Sequence, residues 1–373
     1  MDKNLNLETA HTTNRLWRLK ILSINNIFWT FFGFLIFIPI ELTDGLFLSY
    51  FQIAFLFFLS QIQKSQLCIV ALYSSIVVLS VTVGDEIRLT SIINPILIAM
   101  AFLIKVKPDH QSHIIRGIYI SAVIHTFLLI YTLSQVSITS LYAMLVSRDW
   151  ASSTIPYFGN GFAMGFAVVM LFAAKEHNWK LLLVLFVGGI LTTSRVPIFS
   201  IAIITFFYLV RRMSLKNFIN ITAICLLMFL VSIYLYQYYN LAEQLDGILS
   251  RLTYASDRSS AYSLAVASIN EHPFLGVGSK NMEYYFHAHN SYLQIIYKHG
   301  IFAFIFWFIL MYMSILKNLI SFRNIDFLLI FFLISFFQIG LLNPCIILLL
   351  VIYRQFVLDK NLQNSRKAYI ESN

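Results

Sequence analysis

The chain has 373 residues, of which 59% are hydrophobic and only 12% are charged, and its mean hydropathy is +0.76. A soluble fold does not need so much apolar surface, and runs of about 20 apolar residues with few charges are typical of membrane-spanning helices. The sequence therefore predicts an all-α, polytopic membrane helix bundle. The net charge of +9 suits membrane insertion and anionic lipid headgroups, so we expect membrane lipid as a partner and no nucleic acid.

Apolar segments along the chain predict about 12 transmembrane helices in a single integral membrane domain, residues 1–373. The predicted spans are residues 22–40, 46–61, 66–83, 89–105, 114–135, 157–174, 181–194, 196–210, 218–236, 291–315, 326–342 and 344–359. Little more than Arg195 and Pro197 marks the boundary between the spans 181–194 and 196–210. These two spans form either a tight hairpin or one broken helix.

Basic residues fall mostly on one side of this arrangement. With the N-terminus in the cytoplasm and the spans alternating, most of the 26 Lys and Arg residues lie in cytoplasmic loops, as the positive-inside rule requires. The opposite side keeps Arg88, Arg148, Arg195, Arg251, Arg258, Lys280 and Lys298. We therefore expect both termini in the cytoplasm and the long loop, residues 237–290, on the opposite face.

This long loop is the extramembrane region that is large enough to fold. Its first part, residues 240–252, carries leucines at helical spacing and predicts an amphipathic helix that lies on the bundle or in the membrane interface. Further on, the glycines of the turn GVGSKN, Gly276 and Gly278, are expected to allow a close approach of backbone to a ligand. The sequence therefore predicts that this loop is larger than the others and helical, and that it lies outside the membrane.

A second helix is predicted in the same loop. It has a start signal at Asp257 and a stop signal at Pro273. Tyr262, Val266 and Ile269 have the spacing of a single helix face. Arg258, one turn before Tyr262, extends that face.

The sequence indicates no metal site and no cofactor. Cys68, Cys225 and Cys345 lie within apolar segments and form no metal-binding pair. His287 and His289 are only two residues apart and have no third ligand at helical spacing. The sequence therefore contains no recognisable metal-binding motif.

Four motifs follow one another on the predicted outer face. They are TTSRVPIFS around Arg195, RSSAY from Arg258, HPFLGVGSKN from His272, and HAHNSYLQIIYKHGIFAFIFWFIL from His287. This order resembles the family of O-antigen polymerases and O-antigen ligases of the bacterial inner membrane. The resemblance is close over residues 191–310, and before them the chain is similar only in being helical and hydrophobic.

The resemblance implies a metal-independent glycosyltransferase with its active site facing the periplasm. Its donor would be an oligosaccharide on undecaprenyl diphosphate. The acceptor would be a lipid-linked repeat unit in a polymerase, which we favour, or lipid A-core in a ligase. It also implies a chain-length regulator protein as a partner. A lipid-linked-sugar transporter is the alternative from another class, but it predicts paired charges near mid-membrane and related halves, and the sequence has neither.

The resemblance also assigns catalytic roles. Arg195 and Arg258 would stabilise the departing diphosphate, because a guanidinium stays charged and binds phosphate oxygens in a bidentate manner. His289 would be the base that accepts the proton of the acceptor hydroxyl, because histidine ordinarily has a pKa near neutral.

The expected substrate-binding residues are Asn290, His287, Arg251 and Tyr262. Each assignment has a structural rival. Arg195 alone is also typical of a helix end at the membrane interface, Arg258 and Arg251 of solvated helix residues, and His289 of a residue that caps the following helix.

Overall fold

The computed structural model describes residues 26–37, 61–83, 89–135, 160–192, 194–212, 227, 231, 258–278, 290–320, 324–336 and 342–372. Most of these residues are helical. The helices discussed below are α1 (Asn26–Ile36), α2 (Leu67–Val83), α3 (Leu89–Ala101), α4 (Pro108–Ser134), α5 (Asn160–Lys175), α6 (Trp179–Leu191), α7 (Arg195–Arg212), α8 (Arg258–Glu271), α9 (Ser291–Met311), α10 (Ile325–Phe336) and α11 (Pro344–Ser372). The predicted helical membrane bundle is thus confirmed in outline.

Three segments in the described part of the chain are long and apolar enough to cross a membrane: Lys64–Val83, Pro108–Ser134 and Ser291–Leu316. Helices α1, α5, α6, α7 and α10 are apolar throughout most of their length but shorter, as is the Ser91–Ala101 part of α3. The predicted spans 46–61 and 218–236 lie almost wholly outside the described residues. A count of about 12 spans therefore stays a prediction.

Helix α5 lies at the centre of the bundle. Every residue from Phe162 to Ala173 is buried, and α5 packs against α4, α6, α7, α10 and α11. A helix that is hydrophobic on all sides can be surrounded by lipid or by protein, and α5 is surrounded by protein. The composition of α5, with small residues among its large ones, permits that close packing.

A short β pair departs from the expected all-α fold. β1 (Gln61–Ile62) pairs antiparallel with β2 (Ile104–Lys105). Gln355 of α11 continues this pairing with its side chain, since Nε2 donates to Ile104 O at 2.7 Å and Oε1 accepts from Val106 N at 2.8 Å. The predicted span 89–105 therefore ends as a helix at Ala101, because its last residues make hydrogen bonds to other segments.

The chain from α6 to α7 forms a tight hairpin. The two helices are separate and pack against each other, and a Cβ on Gly189 would lie 2.5 Å from Pro197 Cβ. The absence of a side chain at Gly189 lets the helices meet directly at the turn. Of the two arrangements that the sequence left open, the structure has the hairpin.

Polar contacts join many helix ends at one end of the bundle. Arg211 binds Asp326 through two hydrogen bonds, of 3.0 and 3.4 Å, and Lys360 pairs with Glu176 at 3.8 Å. Further links are Ser314 to Gln66 at 2.8 Å and Arg354 to Lys317 O at 3.1 Å. We call this end the basic end, since the loops here are those rich in Lys and Arg.

Candidate functional site

Helix α9 is interrupted at the end opposite the basic end. Gly300 has φ 77° and ψ 176°, a backbone conformation that is essentially restricted to glycine. The interruption divides the helix into a polar half-helix, residues 291–299, and an apolar helix that continues to Leu316. Since 16 residues rise about 24 Å, the apolar part alone spans most of a bilayer core.

The loop after α8 fills the interruption. Val277 N donates to Tyr297 O and Gly278 N to Lys298 O, both at 3.0 Å, and Ile301 N donates to Pro273 O at 2.9 Å. These bonds satisfy backbone groups that a continuous helix would pair internally and that are costly to leave unpaired in a membrane. We call residues 272–278 the HPFLGVG loop. This loop pairs with α9 on both sides of the interruption.

Three glycines make this docking sterically possible. A Cβ would lie 2.5 Å from the carbonyl carbon of Lys298 if placed on Gly276, 2.7 Å from Ser80 O if placed on Gly278, and 2.0 Å from Phe274 O if placed on Gly300. All three also have positive φ. The sequence predicted that Gly276 and Gly278 admit a ligand; in the structure they admit the backbone of α9 and α2.

Helix α8 runs parallel to the half-helix of α9. Pro273, just after α8, is hydrogen-bonded to Ile301, and Ala265 lies in one buried cluster with Tyr297. The direction from residue 273 to 265 thus follows the direction from 301 to 297. Arg258, the first residue of α8, therefore lies toward the Asn290 end of α9.

The packing face of α8 differs by one residue from the expected one. Tyr262 and Ile269, which were predicted to share a face, both pack against the cluster of Ala265 and Tyr297. Val266 is 48% exposed, and Ala265 is fully buried in its place. The small alanine is needed at this position because the two helices approach closely.

Asn290 begins α9 as an N-cap. Its Oδ1 accepts hydrogen bonds from Tyr292 N at 3.0 Å and from Leu293 N at 3.1 Å. This is the capping role that the sequence had considered for His289. The predicted substrate-binding role of Asn290 stays a prediction.

Arg195 is the first residue of α7. The contacts between α7 and α10 show that α7 begins at the same end of the bundle. α7 and α10 pack against each other, and the pair Arg211 and Asp326 joins the last turn of α7 to the first turn of α10. The two helices are thus antiparallel, and Arg195 lies at the Phe336 end. Phe336 contacts Tyr292 with ring centroids 4.7 Å apart, so this end is also that of Asn290.

The backbones of Arg195, Arg258 and Asn290 therefore lie at one end of the bundle. Of the other predicted site residues, Tyr262 is half-buried on α8. Arg251, His287 and His289 lie outside the described residues, and their roles stay predictions. Metal independence also stays a prediction, although no three His, Cys, Asp or Glu side chains converge within the described part of the chain.

The sequence did not predict that Ser80 and His299 contact each other. The Ser80 hydroxyl of α2 lies 3.3 Å from Lys298 O and 3.1 Å from Nδ1 of His299, and both side chains are buried. His299 directly precedes the interruption at Gly300. Ser80 lies in an apolar run with nothing in its local sequence to connect it with a residue more than 200 positions away.

Fold and site together define a helical membrane protein with an interrupted helix and a docked loop at one face. Residues 180–308 match the family model described as O-antigen ligase. This match confirms the resemblance to the O-antigen polymerase and ligase family. Members of the family are glycosyltransferase-like enzymes that use lipid-linked saccharides in general. No curated protein matches the chain.

Proposed function

We propose that the protein is a surface-polysaccharide polymerase of the bacterial inner membrane. It transfers a saccharide from undecaprenyl diphosphate to the hydroxyl of a second lipid-linked repeat unit at the periplasmic face. The observation that carries the proposal is the family match at residues 180–308, which encloses every residue that the motifs single out. The described helix ends support it, since the helices that begin at Arg195, Arg258 and Asn290 all begin at the same end of the bundle.

In the proposed reaction, the bond between the anomeric carbon and the diphosphate oxygen breaks and the acceptor oxygen forms the new bond. His289 takes the hydroxyl proton, and the diphosphate leaves with an additional negative charge. Arg195 and Arg258 stabilise that charge. Because the charge grows in the transition state, its stabilisation lowers the barrier more than it strengthens substrate binding. Arg251, His287, Asn290 and Tyr262 bind the donor or the acceptor sugar.

A ligase is the second candidate, because the matching family model is described as O-antigen ligase. Donor and residue roles are the same in both reactions, and only the acceptor differs. Deletion of the gene followed by gel analysis of lipopolysaccharide separates them. Loss of a polymerase leaves core capped by a single repeat unit, whereas loss of a ligase leaves uncapped core and an accumulation of undecaprenyl-linked polymer. An unchanged banding pattern excludes both.

Substitutions test the arginine roles in the complemented strain. Arg258→Ala and Arg195→Ala are each expected to lower transfer at least about 100-fold, since they remove charge stabilisation from the transition state. Arg258→Lys keeps the charge without the planar fork and is expected to restore only part of the activity. Arg116→Ala is the matched control, because Arg116 is exposed on α4 near the basic end. Full activity of either alanine variant at normal membrane levels contradicts the role of that arginine.

A further inference from the structure

Ser80 lies where three elements meet. It belongs to α2, its hydroxyl contacts the last residues of the α9 half-helix, and its carbonyl is the nearest atom to the position of a Cβ on Gly278 of the HPFLGVG loop. Ser80 is 1% exposed and His299 5% exposed. We call these contacts among Ser80, Gly278, Lys298 and His299 the Ser80 junction.

The Ser80 hydroxyl can form hydrogen bonds to two groups of the half-helix at once, in the tautomer of His299 that has its proton on Nδ1. The Ser80 hydroxyl has one proton, which it donates to Lys298 O at 3.3 Å. Its contact of 3.1 Å with Nδ1 of His299 then requires that Nδ1–H donates to the serine oxygen. One hydroxyl thus satisfies a carbonyl and an imidazole N–H beside an interrupted membrane helix, where an unpaired group is costly.

The elements held by the junction carry the proposed chemistry. The HPFLGVG loop is bonded to Tyr297, Lys298 and Ile301 of α9, so α8, the loop and the half-helix form one hydrogen-bonded unit. This unit begins with Arg258 at one of its ends, and the half-helix follows directly after His289 and Asn290. Arg195 belongs to α7, which packs in the main bundle against α5, α6 and α10. The ring contact of Tyr292 with Phe336 attaches this unit to the bundle near Asn290, and a second attachment at its other end fixes its orientation relative to Arg195.

We propose that Ser80 is a positioning residue that attaches this unit to the bundle and so aligns the catalytic groups for glycosyl transfer. The inference rests on the proposed function. Ser80 acts through the Lys298 carbonyl and the His299 side chain and touches no substrate. Since misplacement of reacting groups by about 1 Å costs up to about 100-fold in rate, loss of this attachment lowers kcat. It leaves the KM for the donor nearly unchanged, because contacts along the whole lipid-linked saccharide determine donor binding.

The test compares Ser80→Ala, Ser80→Thr and Ser75→Ala in proteoliposomes that contain the undecaprenyl-diphosphate-linked repeat unit. Ser80→Ala is expected to lower kcat about tenfold, with the KM for the donor within about twofold. Ser80→Thr keeps the hydroxyl and is expected to restore most of kcat. Ser75→Ala is the control, because Ser75 is exposed on the same helix and bonds only to Ala71 O among the described residues. An unchanged kcat in Ser80→Ala, or a raised KM alone, overturns the proposal, as does failure of Ser80→Thr to restore activity in folded protein.

A labelling experiment tests the junction without activity. Val277→Cys is introduced into a protein in which Cys68, Cys225 and Cys345 are replaced, and the reaction of the new thiol with a membrane-impermeant maleimide is followed. Addition of Ser80→Ala is expected to speed labelling at position 277 at least about threefold, since the loop opens more often, and Ser75→Ala is not. Equal rates contradict the junction. If the unsubstituted protein transfers no saccharide, the proposed function fails, while this measurement still decides whether Ser80 holds the loop.

Discussion

Two asparagines of this protein begin helices in the same way. Oδ1 of Asn290 accepts from two backbone N–H groups at the start of α9, and Oδ1 of Asn343 does the same for Cys345 and Ile346 at the start of α11. Only Asn290 follows a histidine that we assign to catalysis. The pair therefore allows the capping contribution of Asn290 to be separated from a contact with the substrate.

Serine substitutions make that separation, because serine caps a helix as well as asparagine does but lacks the amide N–H₂. Asn290→Ser and Asn343→Ser are both expected to keep the melting temperature in detergent within a degree or two. Asn290→Ser is expected to lose most transferase activity and Asn343→Ser to keep it. The corresponding alanine variants lose about 1 kcal/mol of stability each. Full activity of Asn290→Ser would show that Asn290 caps the helix and does not contact the substrate.

At the scale of elements, the interrupted helix α9 is the feature that organises the site. The half-helix, the HPFLGVG loop and α8 interlock through backbone hydrogen bonds and three glycines of positive φ. Side chains at these glycines are excluded by backbone atoms, which cannot move aside as a flexible side chain can. The motif thus encodes a rigid local geometry.

Replacement of Gly300 by alanine tests this geometry. The backbone conformation alone costs about 1–3 kcal/mol for a residue with a Cβ, and the new Cβ would lie 2.0 Å from Phe274 O. We expect a clearly lower melting temperature in detergent and reduced transfer. Gly165→Ala is the control, because its Cβ would meet only the Phe37 ring, at 3.1 Å, within a regular helix. Equal stability of the two variants would show that α9 runs without interruption.

The sequence predicts the helices of this bundle better than their interruptions. Long apolar runs place α2, α4 and α9 because hydrophobicity and length suffice for a spanning helix. Gly300 lies inside such a run, and its conformation depends on Pro273 and Phe274 of the HPFLGVG loop. The Ser80 junction could not be predicted from the sequence either, since it depends on how α2 packs against α9. Motif order, in contrast, indicated the family and the segments of the site.

At the scale of the whole molecule, the two ends of the bundle differ in chemistry. The basic end joins helices through ion pairs of partly exposed side chains, Arg211 with Asp326 and Lys360 with Glu176. The opposite end carries the interrupted helix and the start of α7. Because exposed ion pairs add at most about 1 kcal/mol each, the basic residues matter more for the direction of insertion than for stability.

This asymmetry predicts how the protein lies in the membrane. The basic end faces the cytoplasm and the proposed active site faces the periplasm, so a diphosphate-linked donor is used on the outer leaflet. Fusions to alkaline phosphatase, which is active only in the periplasm, and to green fluorescent protein, which folds in the cytoplasm, check the prediction. Fusion after Asn178 or Lys360 is expected to give fluorescence without phosphatase activity, and fusion after Asp257 the reverse. The opposite pattern would place Arg258 in the cytoplasm, where a periplasmic polymerase or ligase reaction is impossible.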